Sequence, residues 1–200
     1  MSQPESPQAS DLCTACGLCC AGPVYNMLML EPDELPGAFM HGLPVMNGGE
    51  GECFWFPCPR LEGKCCAIYD VRPGGCRTFR CELLLKLDRA QVTLDEAMGH
   101  VRDAWARVHR LEPLLDGESI PQLRRRRADL RAIGEVLPDE ELRDRLNEMD
   151  EVLDAHFRRP PQNQRNAYAE VEGRERDDIW VSVTVDLREI NARSDDSASE

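Results

Sequence analysis

The run "CTACGLCC", Cys13 to Cys20, places four thiols within eight residues, two of them adjacent. Its reading decides the fold of the N-terminal half, because all ten cysteines lie between Cys13 and Cys81. Thiols so crowded serve disulfides, metal or catalysis. The opening "MSQPESPQAS", Met1 to Ser10, has neither a basic patch nor an apolar stretch, so it is not a Sec-type signal peptide. The expected location is a reducing cytoplasm, where stable disulfides are rare. That weighs against reading the ten cysteines as staples. Metal binding accounts for the clustering. Cys13, Cys16 and Cys19 are each separated by two residues, a spacing that lets a turn aim several sulfurs at one centre. Gly17 and Gly22 supply the tight backbone turns. Adjacent cysteines point their side chains differently. Cys19 beside Cys20 and Cys65 beside Cys66 therefore predict two neighbouring centres, or one ligand with a second thiol next to it.

Downstream of this run, "LPGAFMHGLPVMNGGEGE", Leu35 to Glu52, is rich in Gly and Pro and predicts loop and turn. Short elements joined by loops bury little core, so a metal or cluster is expected to hold this half together. Phe54, Trp55 and Phe56 lead into Cys58 and are expected to bury it or to offer a partner surface.

After Cys81 the character changes to helix. "CELLLKLDRA" predicts a short helix packed on the cysteine half. "VTLDEAMGHVRDAWARVHRLEPLL" follows, with Thr93 and Glu96 as a capping box and an apolar stripe of Leu94, Ala97, Val101, Ala104, Trp105, Val108 and Leu111. "SIPQLRRRRADLRAIG" is capped by Ser119 and stopped by Gly134. "PDEELRDRLNEMDEVLDAHFRR" opens with Pro138 and acids and closes with arginines. Arg124 to Arg127 read as a solvated helix face. "DIWVSVTVDL" alternates Ile179, Val181, Val183 and Val185 against polar neighbours and predicts one strand. The resulting division is 1–10 unstructured lead, 11–90 cysteine domain, 91–159 helical region, 160–190 linker and single strand, and 191–200 unstructured tail.

A net charge of -13 disfavours a sequence-independent grip on nucleic acid. No apolar run approaches the roughly 20 residues that cross a bilayer. The expected partner is another protein, with no nucleic acid and no membrane; the oligomeric state is open.

"CTACGLCC", together with "GKCCAIYDVRPGGCRTFRC" from Gly63 to Cys81, resembles the bacterial cysteine-cluster family of zinc- or iron-chelating domains, to which the flagellin lysine N-methylase is related. The resemblance covers about residues 13 to 81. It implies ligation by Cys13, Cys16, Cys19, Cys20, Cys58, Cys66, Cys76 and Cys81, with Cys53 and Cys65 as additions and alternative ligands. Tyr69, Arg72 and Arg77 fall on its companion positions. Tyr69 can donate a hydrogen bond to a thiolate, and the two arginines can balance thiolate charge.

The expected fold is therefore α+β: a small, irregular cysteine-rich part, stabilised by metal or cluster, packed against a mainly helical part. The expected cofactor is an iron–sulfur cluster of the 4Fe-4S type, with zinc as the alternative. Three functions follow: a metal-binding protein with a binding, redox or maturation role; a cluster-dependent protein-modifying enzyme such as a lysine N-methyltransferase; and a zinc-stapled interaction module. No catalytic residue is assigned, and enzyme status stays open.

Overall fold

The computed structural model describes residues 7–48 and 51–159. The predicted strand at Ile179 to Val185, the 160–190 linker and the 191–200 tail lie outside them.

Helix α1 spans Pro7–Cys16 and so begins inside the stretch read as an unstructured lead. Gly17, at φ 68°, breaks it, and α2 resumes at Leu18–Ala21. Strand β1 (Met27–Met29) follows, then a 3-10 turn at Pro32–Glu34, α3 (Leu35–Met40), β2 (Val45–Asn47) and β3 (Glu52–Trp55). The Gly- and Pro-rich stretch thus holds a helix and a strand where loop was expected. Strand β3 is the centre of a three-stranded antiparallel sheet, pairing Phe54 with both Leu28 and Val45. A hairpin of β4 (Leu61–Glu62) and β5 (Cys65–Cys66) comes next, then α4 (Gly74–Thr78).

The helical part consists of α5 (Glu82–Asp88), α6 (Leu94–Leu111), α7 (Ile120–Ala132) and α8 (Glu140–His156). Thr93 and Glu96 close a capping box on α6, and Ser119 and Gln122 close one on α7. Such caps satisfy backbone N–H groups that have no partner inside the helix. Helix α8 starts two residues past the expected opening: Asp139 caps it through the Leu142 N–H at 3.0 Å, and Pro138 stays outside. Of the expected α6 stripe, Ala97, Val101, Ala104, Val108 and Leu111 are buried, while Leu94 and Trp105 pack half-buried against the same core.

Two apolar cores account for the cohesion assigned above to metal. The larger gathers Leu12, Leu18 and Val24 with Leu83, Leu84, Leu123, Leu146, Leu153 and Phe157. It therefore joins the first two helices directly to the C-terminal ones. Burying each such leucine stabilises by about 1.5–3 kcal/mol. The smaller holds Leu30, Ala38, Leu43, Phe54 and Phe56 around the sheet. The expectation of a metal-stabilised cysteine part is corrected here. The mixed α+β class stands, but ordinary apolar burial organises the N-terminal half. Among the described residues, no group of three or more His, Cys, Asp or Glu side chains could hold a metal ion.

A buried ionic clamp adds to this. Arg124 is only 8% exposed, so the four-arginine run is not a uniformly solvated face. Its guanidinium lies 2.5 Å from Asp150 Oδ1 and donates to the Pro23 carbonyl at 2.7 Å. Arg158 donates to the same Asp150 oxygen at 2.9 Å, to Pro23 O at 2.9 Å and to Val24 O at 3.2 Å. Arg127 takes the other Asp150 oxygen at 2.9 Å. Burial alone would raise the Asp150 pKa, but Arg124, Arg158 and Arg127 override it and hold the carboxyl well below its ordinary range. The segment after α2 is thus tied to α7 and to the end of α8 through its own carbonyls. None of the described helices is long and apolar enough to cross a membrane.

Candidate functional site

All ten cysteines are unbridged thiols. The backbone sorts eight of them into two sets. Cys13 and Cys16 lie one turn apart on α1, Cys19 lies on α2, and Cys81 caps α5, its Sγ accepting the Leu84 N–H at 3.4 Å. The left-handed Gly17 makes the turn between α1 and α2. A Cβ there would stand 3.2 Å from Lys64 Cβ, so glycine meets both the backbone and the packing requirement. Trp105 of α6 fixes this end, donating its indole N–H to the Cys16 carbonyl at 2.7 Å. The Lys64 ammonium lies 5.2 Å from the same indole.

Burial is the main force on these thiols. It pushes Cys16 up to about 12, with the Cys81 and Cys13 charges adding and the Leu18 N–H opposing. Burial also raises Cys19 well above the ordinary thiol value, reinforced by Cys81, Cys16, Cys20 and Cys13. Cys81 is raised by burial against the backbone N–H groups of Leu84 and Leu83. Cys13 alone of this set is exposed.

The second set is Cys20, Cys58, Cys66 and Cys76. The Cys58 N–H donates to the Cys20 carbonyl at 2.8 Å, joining the end of α2 to the approach to the β4–β5 hairpin. Cys76 rides on α4, which is anchored where the Gly74 N–H donates to the Glu34 carboxylate. Burial raises Cys20 to about 11, with Cys58 and Cys66 adding and Arg72 opposing. Burial raises Cys76 to about 12, with Cys20, Cys58 and Cys66 adding and Arg72 again opposing. Burial also raises Cys58, against the Arg60 N–H. These four sulfurs line a cavity of about 60 Å³ together with Phe54, Phe56 and Arg72.

The expected alternatives sit differently. Cys53 is fully buried on β3, opposite Met29 and Met46, and Cys65 is exposed on β5. Cys65→Ser should leave stability unchanged. Cys53→Ser puts a hydroxyl into the core and should cost about 1–3 kcal/mol in chemical denaturation. Equal losses at the two positions would contradict this placement. Of the companion residues, Arg72 stacks over the Tyr69 ring at 3.7 Å and acts on Cys20 and Cys76, whereas Arg77 is exposed on α4. Sequence reading missed Tyr25. Burial raises its pKa first, and then the Cys19 and Cys81 charges; its ring packs edge-on against Phe79 at 4.6 Å. Only the fold brings Tyr25, Lys64 and Trp105 to the first set, and no local motif marks them.

The thiols of each set share an electrostatic neighbourhood without forming a donor group able to hold a metal ion. A structural zinc site needs four donors on one tetrahedron, at about 2.3 Å for sulfur. The iron–sulfur and zinc cofactors, and the chelating, cluster-enzyme and zinc-stapled functions built on them, are therefore corrected. A scan against family models finds no match to the chain, and neither the curated proteins nor the solved structures contain a match. The resemblance to the chelating family is overturned with the site it implied.

Proposed function

We propose that the protein is a thiol–disulfide exchange protein working through Cys13 and Cys16. The observation that supports this is an exposed thiol one helical turn from a half-buried one, inside a set of four unbridged cysteines. Residues three apart on a helix share a face. The pair also sits at the end of α1, next to the left-handed Gly17, where the terminal turn can adjust. That adjustment is needed, because helical Cβ atoms stand about 5–6 Å apart and a disulfide brings them to about 3.5–4.5 Å. The Gly17 N–H to Cys13 carbonyl bond, 3.3 Å long, is the contact that opens.

The chemistry balances with a disulfide substrate as oxidant. The Cys13 thiolate attacks one sulfur of R–S–S–R. A Cys13–S–S–R bond forms, the R–S–S–R bond breaks, and one R–S⁻ leaves and takes a proton. Cys16 then attacks Cys13 Sγ: the Cys13–Cys16 bond forms, the Cys13–S–S–R bond breaks, and the Cys16 thiol proton passes to the departing second R–S⁻. The protein is oxidised by two electrons and the substrate becomes two thiols. The setting this suits is a reducing cytoplasm, and the substrate is a protein or a small disulfide.

Glutathione disulfide tests the reading. The wild type should lose about 2 Da by intact mass as one bond closes, mapped by peptide mass to Cys13–Cys16. Cys16→Ser should stop at a mixed disulfide on Cys13, and Cys13→Ser should slow the reaction at least about tenfold. A chain whose Cys13 and Cys16 react only after a chelator is added would overturn the proposal, as would unchanged kinetics in Cys13→Ser.

A further inference from the structure

The cavity of the second set has a composition that the exchange at Cys13 does not use. Its walls are soft and apolar: four thiols, Phe54, Phe56, Leu43 and Ile68. One cationic side chain, Arg72, completes it. The Arg72 Nε is buried and has no hydrogen-bond partner, although its guanidinium is held against the Tyr69 ring. Arg72 thus brings a positive charge to a wall that is otherwise apolar, which favours an anionic occupant. The occupant must be small. The cavity volume is about 60 Å³, where roughly 10–15 Å³ admits one water molecule. A carboxylate or phosphate fits poorly, because a hard oxyanion brought out of water needs several donors and this wall holds one cationic side chain among apolar groups. An anionic sulfur is polarisable and gives up water more readily.

We propose that this cavity is a sulfane-sulfur site, which holds one sulfur atom as a persulfide on Cys20 or Cys76, with the Arg72 charge balancing the terminal sulfur. Cys20 and Cys76 line the cavity with Arg72, and its charge acts on both. Both are partly exposed, which leaves a path for a small donor. The donor is a hydropolysulfide or a low-molecular-weight persulfide. The protein sulfur attacks the donor's terminal sulfur. The new protein S–S bond forms, the donor's S–S bond breaks, and the shortened donor leaves with the electron pair and takes the thiol proton. No net oxidation occurs, so no further reactant is required.

The test is to incubate the whole chain with inorganic polysulfide in one arm and glutathione persulfide in the other, alkylate it, and map the one-sulfur mass increment by peptide. The expected increment lies on Cys20 or Cys76 and exceeds that on the exposed Cys65. Arg72→Gln, which removes the charge, should reduce it at least about tenfold, and Arg72→Lys, which keeps the charge without the planar guanidinium, should reduce it less. Loading in one arm only names the donor and supports the site. Thermal melting of both variants checks their fold, and Arg72→Lys serves as the reading if Arg72→Gln does not fold. Cys13→Ser should leave the loading unchanged, which separates this site from disulfide exchange. Equal increments on Cys65, or loading indifferent to both Arg72 variants, would overturn the inference.

Discussion

Asp150→Ala should lower unfolding free energy by about 3–5 kcal/mol, the cost of leaving buried cations without their counter-charge. Arg124 and Arg158 are each 8% exposed, and Asp150 is the carboxylate they share. Removing it takes away the carboxylate between their guanidinium groups and leaves neutral acceptors, carbonyls of the Gly22–Val24 segment and the Asn26 side chain, with the half-exposed Asp154 on Arg158. Glu148→Ala makes the comparison. Its ion pair with Arg145, at 3.2 Å, is half exposed and should contribute no more than about 1 kcal/mol. The pH dependence has a fixed sign. The folded pKa of Asp150 is depressed, so its stabilisation is complete above the ordinary carboxyl value of about 3.9 and is lost as pH falls below that toward the folded value. Denaturant titrations from neutral to acid pH check both statements. Equal losses for the two variants at neutral pH would refute the clamp.

Gly22→Val should be nearly as damaging for a different reason. Gly22 sits at φ 98°, and a Cβ there would lie 2.9 Å from Pro121 Cγ on α7. The left-handed backbone costs a side chain about 1–2 kcal/mol, and forcing α2 away from α7 adds about 1–3 kcal/mol. Gly134→Val isolates the first contribution, because Gly134 has φ 78° but nothing within 4 Å of its would-be Cβ. The same substitution should therefore be clearly worse at position 22. Denaturation midpoints measure the difference, and identical shifts would rule out close packing at Gly22.

The helices after Cys81 were legible because their signals are local. The Thr93–Glu96 box spans four residues, Ser119 marks the start of α7 by itself, and the α6 stripe is read within one element. Burial of Arg124 was not legible. Its partner Asp150 is 26 residues away, and the carbonyls it meets are about 100 residues away. A run of arginines therefore looks solvated until the fold places a carboxylate and exposed main chain beside one of them. The cysteines failed in another way. Spacing such as that of Cys13, Cys16 and Cys19 reports closeness along the chain, which the fold preserves. It does not report whether sulfurs converge on a point, which depends on backbone direction at Gly17 and on where Cys58, Cys66, Cys76 and Cys81 return. The Gly- and Pro-rich stretch was misread because short elements such as α3 and β2 take their stability from Phe54 and Leu43, not from their own propensity.

The contacts from Arg158 to Pro23 and Val24 span 135 and 134 residues. During synthesis, the segment that carries Cys13 to Cys20 emerges long before the side chain that fastens it exists. Contacts this distant in sequence form late, since a large loop must close before they contribute. A nascent chain therefore shows its thiols to the cell well ahead of the moment when α7 and α8 can shelter them. Translation in an oxidising environment would trap bridges that the finished fold does not contain.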